Sequence, residues 1–182
     1  MIVEKLVVGF LKTNCYIVYS PDNRGCAVID PGGESRRICA DLEKRGLTPD
    51  VILLTHAHAD HVRGLWHLYE KTGACVYVHA GELDARINIG PFRFVPPPKT
   101  QYVCEGSTIC AGSLRFSVLE CPGHTPGSVG YRCEDTLFTG DTLLHMGSGR
   151  VDYPCSSRED MIASLTRLRD LSGDYHICPG HG

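Results

Sequence analysis

The segment Thr55-His56-Ala57-His58-Ala59-Asp60-His61 restricts this chain more than any other. Four side chains able to bind a cation fall within six positions, directly after the apolar run Val51 to Leu54. That run is bounded by Pro49 and a polar loop, so it reads as a strand buried on both faces. In an extended segment leaving a strand, residues two apart point the same way, so His56 and His58 can share one ion. A helix would splay the two rings apart, because helical ligand pairs are separated by a full turn. Asp60 and His61 stand at the start of the next helical stretch, where they can face a second ion. With 9 His in the 182 residues, a chance match to this pattern is roughly one in 700, so coincidence explains it poorly.

The flanking sequence supplies the scaffold. Val3 to Gly9, Cys15 to Tyr19 and Gly25 to Ile29 read as strands of a β-meander, with a turn at Pro21-Asp22-Asn23. Glu34 to Arg45 carries Ile38 and Leu42 at helical spacing before Gly46, a C-terminal stop. Val62 to Lys71 reads as a second helix and Cys75 to Val78 as a strand. The prolines between 91 and 98 remove amide donors, which makes that stretch a loop. Strands are expected at Ser107 to Ala111, Leu114 to Leu119, Ser128 to Arg132, Thr136 to Thr139 and Tyr175 to Cys178, with an amphipathic helix from Ser157 to Leu171. Two blocks of strands, each closed by helices, predict an α/β chain folded as a four-layer α/β/β/α sandwich in a single domain over residues 1–182.

Apolar residues at 42% and charged residues at 21% are ordinary for a globular protein. A formal net charge of −3 with scattered Lys and Arg gives no attraction to nucleic acid or to anionic lipid. No apolar run approaches twenty residues and charge arrives early in the N-terminus, so a cytoplasmic location is expected, with a monomer slightly favoured. The ten cysteines contain no Cys-x-x-Cys pair and are expected to be buried, reduced thiols.

Three more potential ligands stand in Gly- and Pro-rich turns at the ends of expected strands: His124 in Gly123-His124-Thr125-Pro126-Gly127, Asp141 in Thr139-Gly140-Asp141-Thr142, and His181 in Pro179-Gly180-His181-Gly182. Strand-end loops are where a rigid scaffold presents functional side chains. The set His-x-His-x-Asp-His, Gly-His-Thr-Pro-Gly, Thr-Gly-Asp-Thr and Pro-Gly-His-Gly, in this order, resembles the metallo-β-lactamase superfamily. Val28-Ile29-Asp30-Pro31-Gly32 and Gly147-Ser148-Gly149-Arg150-Val151-Asp152 resemble its glyoxalase-II-like branch.

The resemblance implies that His56, His58 and His124 hold one metal, that Asp60, His61 and His181 hold the other, and that Asp141 bridges them. It further implies two divalent ions, zinc ahead of manganese or iron. The expected activity is hydrolysis of a small thioester or ester by a hydroxide that the ions supply and Asp60 orients. Iron-dependent persulfide dioxygenation and a non-catalytic metal-binding role are the rival expectations. No C-terminal helical glutathione-binding domain is expected, and the chain's end one residue beyond His181 puts the rigidity of that ligand in question. His67, His79 and His176 read as structural, His145 as bordering the pocket, and Arg150 as pairing with Asp152 more than binding a substrate anion. Tyr153 is open between these roles, and Asp30 between a plain turn and support of a ligand.

Overall fold

In the computed structural model the described residues are 1–87 and 92–182, so the expected loop of prolines begins, at Pro91, outside them. Strands β1 (Ile2–Val8), β2 (Thr13–Tyr19) and β3 (Gly25–Ile29) form the expected antiparallel meander. Helix α1 (Ser35–Arg45) then carries the chain to β4 (Thr48–Leu53), which pairs with β3 in parallel. The short helix α2 (Ala59–Val62) and helix α3 (Leu65–Thr72) lead to β5 (Cys75–His79), parallel to β4. Strand β6 (Thr100–Val103) completes a six-stranded sheet. The second sheet holds β7 (Thr108–Ala111), β8 (Leu114–Glu120), β9 (Val129–Cys133), β10 (Thr136–Gly140) and β11 (His176–Pro179), in the order β11-β10-β9-β8-β7. Helix α4 (Arg158–Arg169) precedes β11, with the Ser157 hydroxyl accepting from Asp160 N at its start.

Strand alternation decides which side chains fill which layer. Ile17, Val28, Ile52 and Val76 face outward from the first sheet and pack with Ile38, Leu42, Leu65 and Leu68 of α1 and α3. Their neighbours Tyr16, Val18, Ala27, Ile29, Val51 and Leu53 face inward, against Phe116, Val118, Val129, Tyr131 and Phe138 of the second sheet. On the far side, Leu119, Cys121 and Leu137 pack with Leu168 of α4. Three apolar interfaces separate four layers, the α/β/β/α sandwich expected from the sequence. Burying one such large apolar side chain contributes about 1.5–3 kcal/mol, so both faces of the first sheet contribute to the core.

Two local expectations differ. The helix expected across Val62 to Lys71 is interrupted at Arg63 and Gly64, because Gly64 lies against the Asp30 turn: its amide donates to Pro31 O at 2.8 Å, and a Cβ there would stand 2.7 Å from the same oxygen. Strand β6 has no counterpart in the sequence reading; Thr-Gln-Tyr-Val is too short and too polar to stand out without its partner β5. The ten cysteines form no disulfide, but the burial expected of them holds fully for Cys15, Cys26, Cys121, Cys133 and Cys155, whereas Cys104 and Cys110 are exposed. No helix among the described residues is long and apolar enough to cross a membrane.

Candidate metal centre

The loop leaving β4 is pinned before it delivers its side chains. Asp30, at the end of β3, accepts Thr55 N on Oδ1 (2.8 Å) and the Thr55 hydroxyl on Oδ2 (2.6 Å), while Thr55 O takes the amide of Val129 on β9 at 2.9 Å. His56 and His58 follow in the loop, His58 in extended backbone, and Asp60 and His61 lie on α2. His124 comes from the loop between β8 and β9; Asp141 directly follows β10, and His181 follows β11 after Gly180. All seven residues singled out by motif therefore meet at one edge of the two sheets.

The distances define two groups with a carboxylate between them. The ligand atoms of His56, His58 and His124 lie within 4.8 Å of one another, as do those of Asp60, His61 and His181. Asp141 stands 3.6 Å from His124 Nε2, 3.5 Å from His61 Nε2 and 3.6 Å from His181 Nε2. Asp60 Oδ2 lies 3.2 Å from His181 Nε2 and accepts the Thr13 hydroxyl at 3.2 Å. His56 Nε2, His58 Nε2 and Asp141 Oδ1 are buried with no hydrogen-bond partner among the described residues. Leaving such atoms unpaired is costly, and cations at the cluster would satisfy those of His56 and Asp141, while His58 turns its other nitrogen, Nδ1, toward His124 Nε2 at 2.9 Å. The donor set fits the ions that the resemblance implies.

Charge divides the groups further. Burial, reinforced by the neighbouring imidazoles, lowers His56 and brings His58 down to about 4, and burial lowers His124 as well, so these three rings are neutral and able to donate lone pairs. In the other group burial works against the charged forms but is outweighed. Asp141 and Asp30 raise His61 well above its ordinary value, and the hydrogen bond to Asp60 raises His181. Asp60 and Asp141 are correspondingly held ionised.

Several supports had no sequence signal. Asp30, left open as turn or support, also accepts His61 Nδ1–H on Oδ2 (2.9 Å), which directs Nε2 toward the centre. The doubt over His181 is resolved by β2: Asn14 N donates to Gly180 O at 2.7 Å, Asn14 Nδ2 to Pro179 O at 2.9 Å and to Gly182 O at 3.1 Å, and the Tyr16 hydroxyl to Pro179 O at 2.7 Å. Gly180 admits no side chain, since a Cβ would overlap Asp141 Oδ1 and come within 2.8 Å of His61 Cε1. Glu82, in a 3₁₀ turn at Ala80–Leu83, was also missed: it is 1% exposed and accepts three hydrogen bonds from the loops carrying His56, His58 and His124.

Of the other residues weighed in the sequence, Tyr153 and the Arg150 backbone touch ligand rings, whereas His67, His79 and His176 belong to none of the ligand groups. Arg150 pairs with Asp152 at 2.7 Å and lies 4.9 Å over the Tyr153 ring, which itself packs on His58 and His124; the Arg150 carbonyl accepts His124 Nδ1–H at 2.8 Å. His79 takes Gly81 N on Nδ1, and His176 sits on the surface near Asp135. His67 packs between α1 and α3, away from the centre. His145 borders the end of the chain, where a Cβ on Gly182 would be 3.6 Å from its own Cβ.

A four-layer sandwich whose two sheets converge on a His and Asp cluster at one edge defines a class, and the family model of the metallo-beta-lactamase superfamily matches residues 8–181. The chain belongs to that superfamily. Among curated relatives it is similar to the probable metallo-hydrolase YqgX of Bacillus subtilis, at 35% identity over 98% of this chain and 89% of the relative. It is also similar to the hydroxyacylglutathione hydrolase GloC of Haemophilus influenzae, at 33% identity over 100% and 91%. Among solved structures, the BLEG-1 B3 metallo-beta-lactamase superposes with a TM-score of 0.88 at 30% identity, covering 100% of this chain and 92% of that one. TTHA1623 in a di-iron-bound form gives 0.85 at 33%, covering 99% and 92%.

Proposed function

We propose that the protein is a dinuclear metallohydrolase that cleaves a small acyl substrate, with thioesters ahead of esters and lactones, and β-lactams last. The observation that carries this reading is the pair of buried, unpaired atoms His56 Nε2 and Asp141 Oδ1 at the meeting point of the His and Asp groups. His56, His58 and His124 would hold one ion and Asp60, His61 and His181 the other, with Asp141 between them. When bound, such a pair of divalent ions polarises a carbonyl and lowers the pKa of water toward neutrality.

The chain's own groups provide the rest. Asp60 is ionised, partly exposed and fixed by the Thr13 hydroxyl, so its carboxylate can accept a hydrogen bond from the attacking water and orient it toward the substrate. Asp30 keeps the proton of His61 on Nδ1, leaving Nε2 as the donor atom. The hairpin tip between β1 and β2 stands beside the centre, because Leu11 O accepts His181 Nδ1–H at 3.2 Å. Phe10 and Leu11 on that tip are exposed, which gives the rim an apolar surface suited to the carbon chain of an acyl group. The name of the Haemophilus influenzae relative supports the thioester class.

The test is a panel of acyl thioesters, a hydroxyacylglutathione among them, with lactones and a β-lactam. Thioester turnover is expected to disappear on chelation, return with added zinc or manganese, and vanish in Asp60→Ala. Turnover in verified metal-free protein, or none from protein carrying two ions, would refute the reading. A second reading, oxygenation of a persulfide at iron, is favoured only in that a neighbour binds iron; oxygen uptake with a persulfide by iron-loaded protein, and no thioester turnover, would favour it over hydrolysis. A protein that binds ions and turns over neither substrate class would be the non-catalytic relative.

A further inference from the structure

Glu82 lies outside the ring of candidate ligands, yet it is as buried as His56, His58 and His124. Its Oε2 accepts Ala57 N at 2.5 Å, and its Oε1 accepts the Thr125 hydroxyl at 2.6 Å and Gly127 N at 3.0 Å. Ala57 separates His56 from His58, and Thr125 follows His124. One carboxylate thus ties together the two segments that supply the neutral imidazole group, although His58 and His124 are 66 positions apart in the chain. Asp30 makes the corresponding contact in the other group, through His61.

We infer that Glu82 is a positioning residue for the cation held by His56, His58 and His124, setting the separation of the two loops so that their three rings converge. The inference rests on the metal-centre reading above. Its chemistry requires a carboxylate: three donors converge on two oxygens, and a carboxylate accepts on both without offering a proton. In Glu82→Gln the amide nitrogen faces a backbone N–H whichever way it turns, Ala57 N in one orientation and Gly127 N in the other. The loops must then move apart, and the three imidazole nitrogens with them. Asp60 and His61 follow on the same segment but have anchors of their own, the Thr13 hydroxyl and Asp30, and His181 is held by β2.

The experiment titrates metal-free protein with cobalt(II), read by calorimetry and by visible absorption, in the wild type, Glu82→Gln and His124→Ala. The expected result is that Glu82→Gln weakens one of the two ions by about 10–100-fold, the scale of losses when the group behind a ligand is removed. That ion should be the one abolished by His124→Ala, with the affinity for the other unchanged. Thr125→Val, which removes one of the three donors and leaves the carboxylate in place, should weaken the same ion by less, and it carries the test if Glu82→Gln does not fold. Unchanged affinity for that ion, or equal weakening of both in step with a lower Tm of the metal-free protein, would overturn the assignment and leave Glu82 as a general prop of the fold. Wild-type protein that binds no ion would instead overturn the metal-centre reading itself, and the inference with it.

Discussion

Asp30→Asn separates charge from shape at the support of His61. Asp30 adopts φ 49°, in the left-handed region where asparagine is among the best tolerated residues, so the backbone turn should survive the change. The carboxylate accepts from Thr55 N, the Thr55 hydroxyl and His61 Nδ1 at 2.8, 2.6 and 2.9 Å. If the amide oxygen keeps Thr55 N, the NH2 group faces His61 Nδ1, which must then accept, and the imidazole proton moves to Nε2. That is the atom aimed at Asp60, Asp141 and His181; in the wild type a cation that expels its proton leaves an Nδ1–H still bonded to the Asp30 carboxylate, whereas in the variant that Nδ1–H would face an NH2 group. If the amide turns over, its NH2 opposes Thr55 N–H, which leaves a buried donor unpaired at a cost of about 1–3 kcal/mol. Either way the ion beside His61 should bind about 10–100-fold more weakly, or about 1.4–2.7 kcal/mol, while the ion at His56, His58 and His124 keeps its affinity. Calorimetric titration of metal-free protein with zinc against a competing chelator measures both steps, and imidazole nitrogen NMR reads the tautomer of His61. Wild-type affinity for both ions in a folded variant, with the proton still on Nδ1, would refute the reasoning.

Two further outcomes follow from the same geometry. His61 and His181 have raised pKa values, so they hold protons that a cation must expel, whereas His56, His58 and His124 are already neutral; ion binding at the first pair should release protons and weaken as pH falls from about 8 to 6, and binding at the trio should change little, as occupancy measured across that range will show. Gly180→Ala places a methyl group on Asp141 Oδ1, so it should abolish binding of at least one ion, measured by metal content after dialysis, while the circular dichroism spectrum stays that of the wild type.

The sequence made the ligands legible for a physical reason. His56, His58, Asp60 and His61 owe their convergence to local backbone geometry, which spacing encodes, and His124, Asp141 and His181 each sit in a Gly-rich turn that marks a strand end. The layers were legible in outline, from two blocks of strands closed by helices and from helical spacing at Ile38 and Leu42; Tyr16-Ile17-Val18 is apolar on both faces and could not say which face meets the helices. What could not be read is whatever depends on a partner distant in the chain. Glu82 is a single acid in an unremarkable His-Ala-Gly-Glu-Leu stretch, and its donors lie 25 to 45 residues away. Asn14 and Tyr16 look like ordinary strand residues until β11 lies beside them. The break at Gly64 is likewise imposed by the Asp30 turn rather than by the helix's own sequence.

The seven ligands are shared between the two sheets: four arrive on the segment after β4 of the first, and three at strand ends of the second. Elsewhere the two sheets face one another through the apolar contacts of their inner faces, which can part gradually. Ions bound at that edge would act as rivets, because separating the layers there means breaking coordinate bonds outright. Release of metal and opening of the sandwich at that margin would then be one event, and the slow step in losing the ions would be a hinge motion of the whole protein.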